Sequence, residues 1–253
     1  FPNIEHLIEM LRKLGKEVIA ADRNSLEGNS IDMLAELSVR DEVCIAVIGD
    51  PMIATTHSSL VVEALKRGAE VEIIPSTTIL SAAISLSCLQ AYRFGRSVTL
   101  VKSREGIVFE YPLHVIEENR KRNLHTILLL DLDVSQGYYM RPSEAARLLL
   151  GIQKHMKRKV VDENDLVIVL GAVGSESMTI EVKPLCELAQ ERDEKYKTPP
   201  YTIVIPSKKL HPIEEECLEL VKRGKMYFRA RVAVDKLYEV FKVLEDAKSR
   251  ESN

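Results

Sequence analysis

Two patterns of apolar residues alternate along the chain. Short, continuous apolar runs predict strands, and they lie at residues 44–48, 71–74, 98–101, 126–132, 166–170 and 201–205. Apolar residues that repeat every three or four positions predict helices, and they lie at residues 4–14, 58–67, 78–90 and 142–158. Alternating strands and helices are typical of a parallel sheet covered on both faces, so the pattern indicates an α/β protein.

The alternation becomes less regular after Phe94-Gly95. Residues 102–112 are polar and irregular, and residues 190–200 are charged and end in two prolines. We therefore expect an N-terminal α/β domain with a parallel sheet over residues 1–94 and a C-terminal α+β domain over residues 95–253. A helical tail is predicted from residue 232 to 246, with an apolar face formed by Val234, Leu237, Phe241 and Leu244.

Composition narrows the classes of partner. Lys and Arg number 35 and Asp and Glu 38, so the net charge of -3 gives no general attraction to nucleic acid or to anionic membranes. The four cysteines form no C-x-x-C pair, and no apolar run approaches the roughly 20 residues of a membrane helix. We expect a cytoplasmic protein that touches no membrane and no nucleic acid directly.

Common catalytic and nucleotide-binding motifs are absent from the sequence. It has no G-x-G-x-x-G, no G-x-x-x-x-G-K-[ST], no G-x-S-x-G and no H-E-x-x-H. These absences argue against a nicotinamide enzyme, a nucleoside triphosphatase and the commonest hydrolases. The six histidines show no metal-ligand spacing, so we expect no metal site.

Three turns that follow predicted strands carry small and polar residues. In open α/β sheets, ligands bind beyond the carboxyl ends of the strands. Gly49 would permit close approach to the backbone, Asp50 offers an acceptor for ribose hydroxyls or an amino group, and Pro51 stiffens the turn. The other two turns are residues 75–79 and 170–175. Ordinary tight turns and a helix cap would explain the same residues.

Four segments together indicate a family: GDPMIATTHSSL, STTILSAAISLSCLQAYRFGRSVTL, LHTILLLDL and PPYTIVIPSKKLH, in this order. They resemble the diphthine synthases, the methyltransferases of diphthamide biosynthesis in the tetrapyrrole methylase superfamily. The resemblance extends roughly from residue 1 to 222 and is strongest between residues 44 and 131. It implies a two-domain tetrapyrrole-methylase-like fold, S-adenosyl-L-methionine bound in the cleft between the domains, and a homodimer.

The resemblance also implies which residues contact the cofactor. Matched motif by motif, they are Asp50, Ile53, Thr78, Ile79, Leu130, Val173 and Tyr201. Tyr201 departs from the family, which commonly has histidine at this position. The family's first strand and glycine loop have no counterpart before Phe1, so we expect the N-terminal domain to lack both.

The substrate implied by the resemblance is the aminocarboxypropyl-modified histidine of translation elongation factor 2, whose amine is methylated. An α-amino group has a pKa of roughly 7.7 to 8, so part of it is neutral near pH 7 and no strong base is required. We therefore assign no catalytic residue. His57 and Asp131 are the nearest candidates for a base, but a helix start and a strand end explain them as well.

Basic clusters at residues 154–159 and 208–209 could dock a protein substrate, or could simply be solvated surface. Two other functions stay open. One is another enzyme of the same fold that methylates a corrinoid or porphyrin precursor or ribosomal RNA, although the net charge of -3 argues against RNA. The other is a non-catalytic scaffold, which the missing glycine loop would favour.

Overall fold

The computed structural model describes residues 4–21, 26, 28–103 and 106–224. In these ranges the helices are α1 (Ile4–Lys13), α2 (Asn29–Arg40), α3 (Ser58–Lys66), α4 (Ile79–Leu86), α5 (Tyr111–Lys121), α6 (Pro142–His155), α7 (Leu185–Gln190) and α8 (Pro212–Lys222). The strands are β1 (Val98–Leu100), β2 (Thr126–Leu130), β3 (Leu132–Asp133), β4 (Tyr138–Tyr139), β5 (Leu166–Gly171), β6 (Thr179–Pro184) and β7 (Tyr201–Ile205). None of these helices is long and apolar enough to cross a membrane.

Two of the N-terminal helices, α1 and α3, end where the sequence places a glycine. Gly15 follows α1 with a φ of 74°, and its N–H donates to the carbonyl oxygen of Arg12. Gly68 follows α3 with a φ of 89°. A residue in this left-handed conformation closes a helix at little cost only when it has no Cβ. Both helix ends agree with the periodic patterns that predicted these helices.

Five strands form the main sheet, in the order β1-β2-β7-β5-β6. β1 and β2 are parallel, and the other neighbouring pairs are antiparallel. Strands β3 and β4 form a separate two-stranded hairpin that follows β2. The architecture is therefore mixed α/β, with strands that alternate their side chains between two covered faces.

Each face of the main sheet has its own core. Helices α5, α6 and α7 cover one face, which we call face A, with buried residues that include Leu100, Leu113, Leu128, Leu149, Leu185 and Ile203. Helices α4 and α8 cover face B, with buried residues that include Ala83, Ile127, Ile168, Leu170, Val204 and Leu218. Because both faces are buried, the strands read in the sequence as nearly continuous apolar runs.

The strands predicted at residues 44–48 and 71–74 are wrong. Both segments lie outside helices and ladders, so the predicted N-terminal parallel sheet does not form within the described residues. A strand is defined by the partner whose backbone it bonds, and an apolar run does not reveal whether that partner is present. Side chains that a sheet would bury are accordingly exposed: Ile48 is 57% and Ile74 is 74% exposed.

The other predicted strands, near 98, 126, 166 and 201, are confirmed, as are the predicted helices near 4, 58, 79 and 142. The chain joins the main sheet at Phe94, which bridges to His125, but the domain boundary placed there stays a prediction. The predicted tail helix over residues 232–246 lies outside the described residues.

Candidate functional site

Asp50 connects two of the predicted binding loops. Its Oδ1 accepts a hydrogen bond from the N–H of Met52 at 2.8 Å, and its Oδ2 accepts one from the N–H of Ser76 at 3.0 Å. The bonds from Ser76 and Met52 lower the pKa of Asp50, so its carboxyl group is ionised at neutral pH. A single carboxylate therefore holds residues 50–52 against the loop before α4.

Gly49 permits the backbone turn that precedes Asp50. Its φ is 92°, and a Cβ built on it would lie 3.5 Å from the carbonyl oxygen of Thr77. A side chain at this position would be strained by the backbone angle and would touch the neighbouring loop. At 3.5 Å such a Cβ would be in ordinary van der Waals contact, so the backbone angle is what requires glycine at this turn.

Thr78 caps α4. Its Oγ1 accepts hydrogen bonds from the N–H groups of Leu80 at 2.9 Å and Ser81 at 3.3 Å, while the Ser81 Oγ accepts from the N–H of Thr78 at 3.3 Å. This reciprocal arrangement is a capping box. Of the neighbouring predicted contacts, Ile79 is half-buried and Ile53 is 43% exposed, so both offer apolar surface to a ligand.

The third loop begins where β5 ends. A Cβ on Gly171 would lie 2.6 Å from both the Thr179 Oγ1 and the Tyr201 Cε1, so the glycine is required by the packing of Tyr201. Ala172 has a φ of 47°, and its N–H donates to the carbonyl oxygen of Pro200 at 3.0 Å. Val173 then packs, half-buried, on the core of face B.

Leu130 and Tyr201 lie together at one edge of the main sheet. Leu100 is in register with Leu130 and Gly171 with Tyr201, so this edge is formed by the ends of four neighbouring strands. Leu130 and Tyr201 are only 6% and 5% exposed, and their side chains belong to the core of face A. A ligand at this edge would therefore meet little of either side chain.

The predicted residues therefore fall into two groups. Asp50 and the loop of Thr78 and Ile79 are in contact, and Leu130 and Tyr201 share a sheet edge. Val173 and helix α4 pack on the same core of face B, which connects the second loop with the third. Leu130 and Tyr201 lie on the opposite face.

The two candidates for a base have structural partners. The Nδ1 of His57 lies 2.8 Å from the carbonyl oxygen of Pro51, immediately before α3. Asp131 Oδ2 accepts a hydrogen bond from the N–H of Lys102 at 3.1 Å. Within the described ranges, no group of three or more His, Cys, Asp or Glu residues could hold a metal ion.

A buried polar network lies where β2 begins. Glu214 is fully buried and accepts hydrogen bonds from the N–H of Gln90 at 2.9 Å and from His125 Nε2 at 3.1 Å, and it pairs with Arg93. The N–H of Ser207 donates to His125 Nδ1 at 3.0 Å, which places the imidazole proton on Nε2. Burial lowers the pKa of His125 despite the carboxylate beside it. These groups satisfy one another, so the network is structural.

Sequence reasoning missed an open cavity of about 390 Å³. It is lined by Arg141, Asp193, Glu194, Tyr196 and Lys197. Most of these residues come from the segment that reads in the sequence as a charged loop. Only their assembly around one space, beside the residue before α6, distinguishes them from ordinary surface charges.

Comparison with known proteins identifies close similarities over most of the chain. The family model described as Tetrapyrrole (Corrin/Porphyrin) Methylases matches residues 5–189. A protein named diphthine synthase from Sulfurisphaera tokodaii is 36% identical over 216 residues, which cover 85% of this chain and 83% of that protein. One from Saccharolobus solfataricus is 37% identical over 220 residues, covering 86% and 83%. A crystal structure of diphthine synthase superposes with a TM-score of 0.70 at 32% identity, covering 84% of this chain and 78% of that one.

Proposed function

The chain belongs to the tetrapyrrole (corrin/porphyrin) methylase family and, within it, to the diphthine synthases, and from this premise we propose how its site works. It is a methyltransferase of diphthamide biosynthesis with a tetrapyrrole-methylase fold, as the sequence predicted. The alternative functions, methylation of a corrinoid or porphyrin precursor or of ribosomal RNA and a non-catalytic scaffold, are not favoured by relatives with this name.

We propose S-adenosyl-L-methionine as the methyl donor, bound at the surface that Asp50 creates between its two loops. The observation that supports this most is the ionised carboxylate itself. Its oxygens accept hydrogen bonds from the N–H groups of Met52 and Ser76, and the backbone of Ile53 also bonds to the carboxylate. A carboxylate has about four acceptor positions, so acceptor capacity remains for a ribose hydroxyl. The exposed side of Ile53 and the half-buried Ile79 supply apolar surface for an adenine ring.

The remaining predicted contacts would complete the pocket in the cleft. A Cβ built on Gly174 would meet nothing within 4 Å, so there is open space beside Val173. At Leu130 and Tyr201 the backbone of the sheet edge would face the ligand, because both side chains are buried. For Tyr201 a backbone contact would also explain why tyrosine can replace the histidine common in the family.

S-adenosyl-L-methionine supplies a methyl group on a sulfonium, which a neutral amine can take up directly. The protein must then orient the amine behind that methyl group and exclude water, rather than provide a strong base. This requirement suits the site, since His57 and Asp131 already bind backbone groups. We propose that the acceptor is the aminocarboxypropyl-modified histidine of translation elongation factor 2.

A substrate of the translation machinery implies a cytoplasmic location, which we include in the proposal. We also propose that the protein is a homodimer, as is usual in the family. The partner subunit would then cover large apolar side chains that the N-terminal helices expose, such as Met33 at 65% and Leu65 at 54% exposure.

Calorimetric titration with S-adenosylhomocysteine tests the cofactor site. The wild-type protein should bind, and Asp50→Asn should weaken binding about 10- to 100-fold, because it removes a charged acceptor of hydrogen bonds. Asp41→Asn is the matched control, since Asp41 is exposed at the end of α2, and it should bind like the wild type.

Two results would contradict the proposal. If the wild-type protein did not bind, S-adenosyl-L-methionine would not be its cofactor. If both variants bound equally well, Asp50 would not be part of the cofactor site. The acceptor is tested separately by intact mass: elongation factor 2 that carries the aminocarboxypropyl group should gain 14 Da steps, about the mass of a CH₂ group, when incubated with enzyme and donor.

A further inference from the structure

We propose that the cavity lined by Arg141, Asp193, Glu194, Tyr196 and Lys197 binds the amino-acid end of a reactant, that is, a carboxylate and an ammonium on one carbon. The cavity has a volume of about 390 Å³. The inference rests on the proposed function for the identity of the reactant, because the methyl donor and the methyl acceptor both carry such a group. We refer to this cavity as the charged cavity.

The charged cavity lies beside the sheet edge of the candidate site. Arg141 directly follows Met140, whose N–H donates to the carbonyl oxygen of Asp131 at 2.9 Å. On the other side, the ring of Tyr196 meets the ring of Tyr201 edge-on, with centroids 5.4 Å apart. Arg141 is thus one residue, and Tyr196 one ring contact, away from the strand ends at which Leu130 and Tyr201 lie.

Arg141 has hydrogen-bonding capacity to spare. One of its terminal nitrogens, Nη1, is buried and has no hydrogen-bond partner. A buried donor without an acceptor is unfavourable, and more so when it carries charge. A carboxylate in the cavity would supply this missing acceptor, and a guanidinium turned toward it can form two parallel N–H···O bonds.

Asp193 is hydrogen-bonded to residues of α6, and the charge of Arg141 also attracts it. It accepts two hydrogen bonds from the Nη2 of Arg147, at 2.7 and 2.9 Å, and one from the hydroxyl of Ser143 at 2.5 Å. Burial raises the pKa of Asp193, but the bonds from Ser143 and Arg147 lower it by more, so the pKa is below its usual value and the carboxyl group is ionised. Its main partners come from α6, and it still presents negative charge to the cavity.

The charges around the cavity match a zwitterion better than a simple anion. Two cationic side chains, Arg141 and Lys197, face two anionic ones, Asp193 and Glu194. The formal sum of these charges is zero. A carboxylate would meet the cations and an ammonium the carboxylates, whereas an anion alone would be repelled by half of the lining.

Tyr196 gives the cavity a fixed wall. Its side chain is only 4% exposed, its hydroxyl donates to Glu191, and Lys183 Nζ binds the same carboxylate at 2.7 Å. The Lys195 and Lys183 ammonium groups help to lower the pKa of Glu191 to about 2, against the effect of burial, so that acceptor is permanently charged near neutral pH. A ring held in this way can position the short alkyl stem of an amino acid.

Two ligands that share a nucleoside separate the possibilities. S-adenosylhomocysteine carries the amino-acid end, and 5′-methylthioadenosine lacks it. If the cavity holds the donor, Arg141→Gln should weaken the binding of S-adenosylhomocysteine about 10- to 100-fold and leave that of 5′-methylthioadenosine unchanged. If it holds the acceptor, the variant should bind both ligands normally, and its KM for aminocarboxypropyl-modified elongation factor 2 should rise about 10-fold or more with little change in kcat.

Arg122→Gln, which removes an exposed guanidinium just after α5, is the matched control and should change none of these values. Binding of 5′-methylthioadenosine by Arg141→Gln also shows that the variant is folded. If wild-type protein binds both ligands but Arg141→Gln alters neither affinity nor KM, the inference fails and the proposed function stands. If wild-type protein binds neither ligand, the proposed function fails and the inference fails with it.

Discussion

The chain before α4 and the chain from α4 onward are packed very differently. In the described residues of the first region, the buried cluster consists of Ala35, Ala64 and Ala69. From α4 onward, two large cores cover both faces of a five-stranded sheet. Large apolar side chains such as Ile74 remain exposed in the first region, so its helices contribute little burial of their own.

This comparison places α4 with the sheet rather than with the helices before it. Ala83 is fully buried and Leu89 is 5% exposed, and both belong to the core of face B. The two loops that Asp50 joins therefore lie where loose packing meets tight packing. Binding loops are often drawn from the less stable part of a protein, and a ligand that bridges the border would stabilise the first region.

The largest loss of stability is expected from a substitution inside the tightly packed region, and it tests whether that region is held together as the comparison implies. Glu214→Gln removes the charge that pairs with Arg93 and weakens the acceptor of the His125 bond. Breaking a buried ion pair by removing one partner costs about 3–5 kcal/mol. The free energy of unfolding, measured with urea by circular dichroism, should fall by about that amount.

Glu215→Gln provides the control, because Glu215 is the next residue on α8 and is exposed. It should change the free energy of unfolding by about 0.5 kcal/mol or less. Similar costs for both variants would mean that the network around Glu214 does not hold the sheet and its flanking segments together.

A pair of identical substitutions sharpens the contrast between the regions. Leu128 is fully buried in β2, whereas Leu65 on α3 is 54% exposed. Leu128→Ala should cost about 2–5 kcal/mol, because it leaves a cavity, while Leu65→Ala should stay within about 0.5 kcal/mol. Urea titrations of the two variants measure the difference. Equal losses would show that α3 is as tightly packed as β2, contrary to the exposure of Leu65.

Four strands of the main sheet, from residue 98 onward, could be predicted from the sequence. They are buried on both faces and so read as apolar runs, and the chain also contains the strands with which they pair. The same reasoning failed for residues 44–48 and 71–74, since the composition is similar but no ladder forms there. Strand β6 was missed because its burial is incomplete and it contains Glu181 and Lys183, whose charges are paired with each other and with Lys195 and Glu191.

For the candidate site, the turn at Asp50 and the loop before Thr78 could be selected from the sequence by their position after apolar runs. Their contact through the N–H of Ser76 could not, because it joins residues 26 positions apart. The charged cavity gave no signal either, since surface charges are common and only the fold places Arg141 beside residues 193–197.

The smallest expected effect compares two cysteines, one from each side of the border. Cys44 is exposed in the loosely packed segment, and Cys88 follows α4 beside Cys217. Burial, with a smaller effect of Cys217, raises the pKa of Cys88 to about 11. Only about one Cys88 thiol in a thousand is then ionised at pH 8, and the thiolate is the reactive form.

Iodoacetamide at pH 8 should therefore label Cys44 well before Cys88, as followed by peptide mass mapping. In urea the Cys88 thiol should approach the ordinary cysteine pKa of about 8.5, and the two cysteines should then react at similar rates. Cys44→Ser and Cys88→Ser variants assign each labelling phase. Equal labelling rates in the native protein would mean that Cys88 is no better protected than the loosely packed region before α4. Slow labelling of Cys88 that becomes fast in urea is the result expected if tight packing begins at α4.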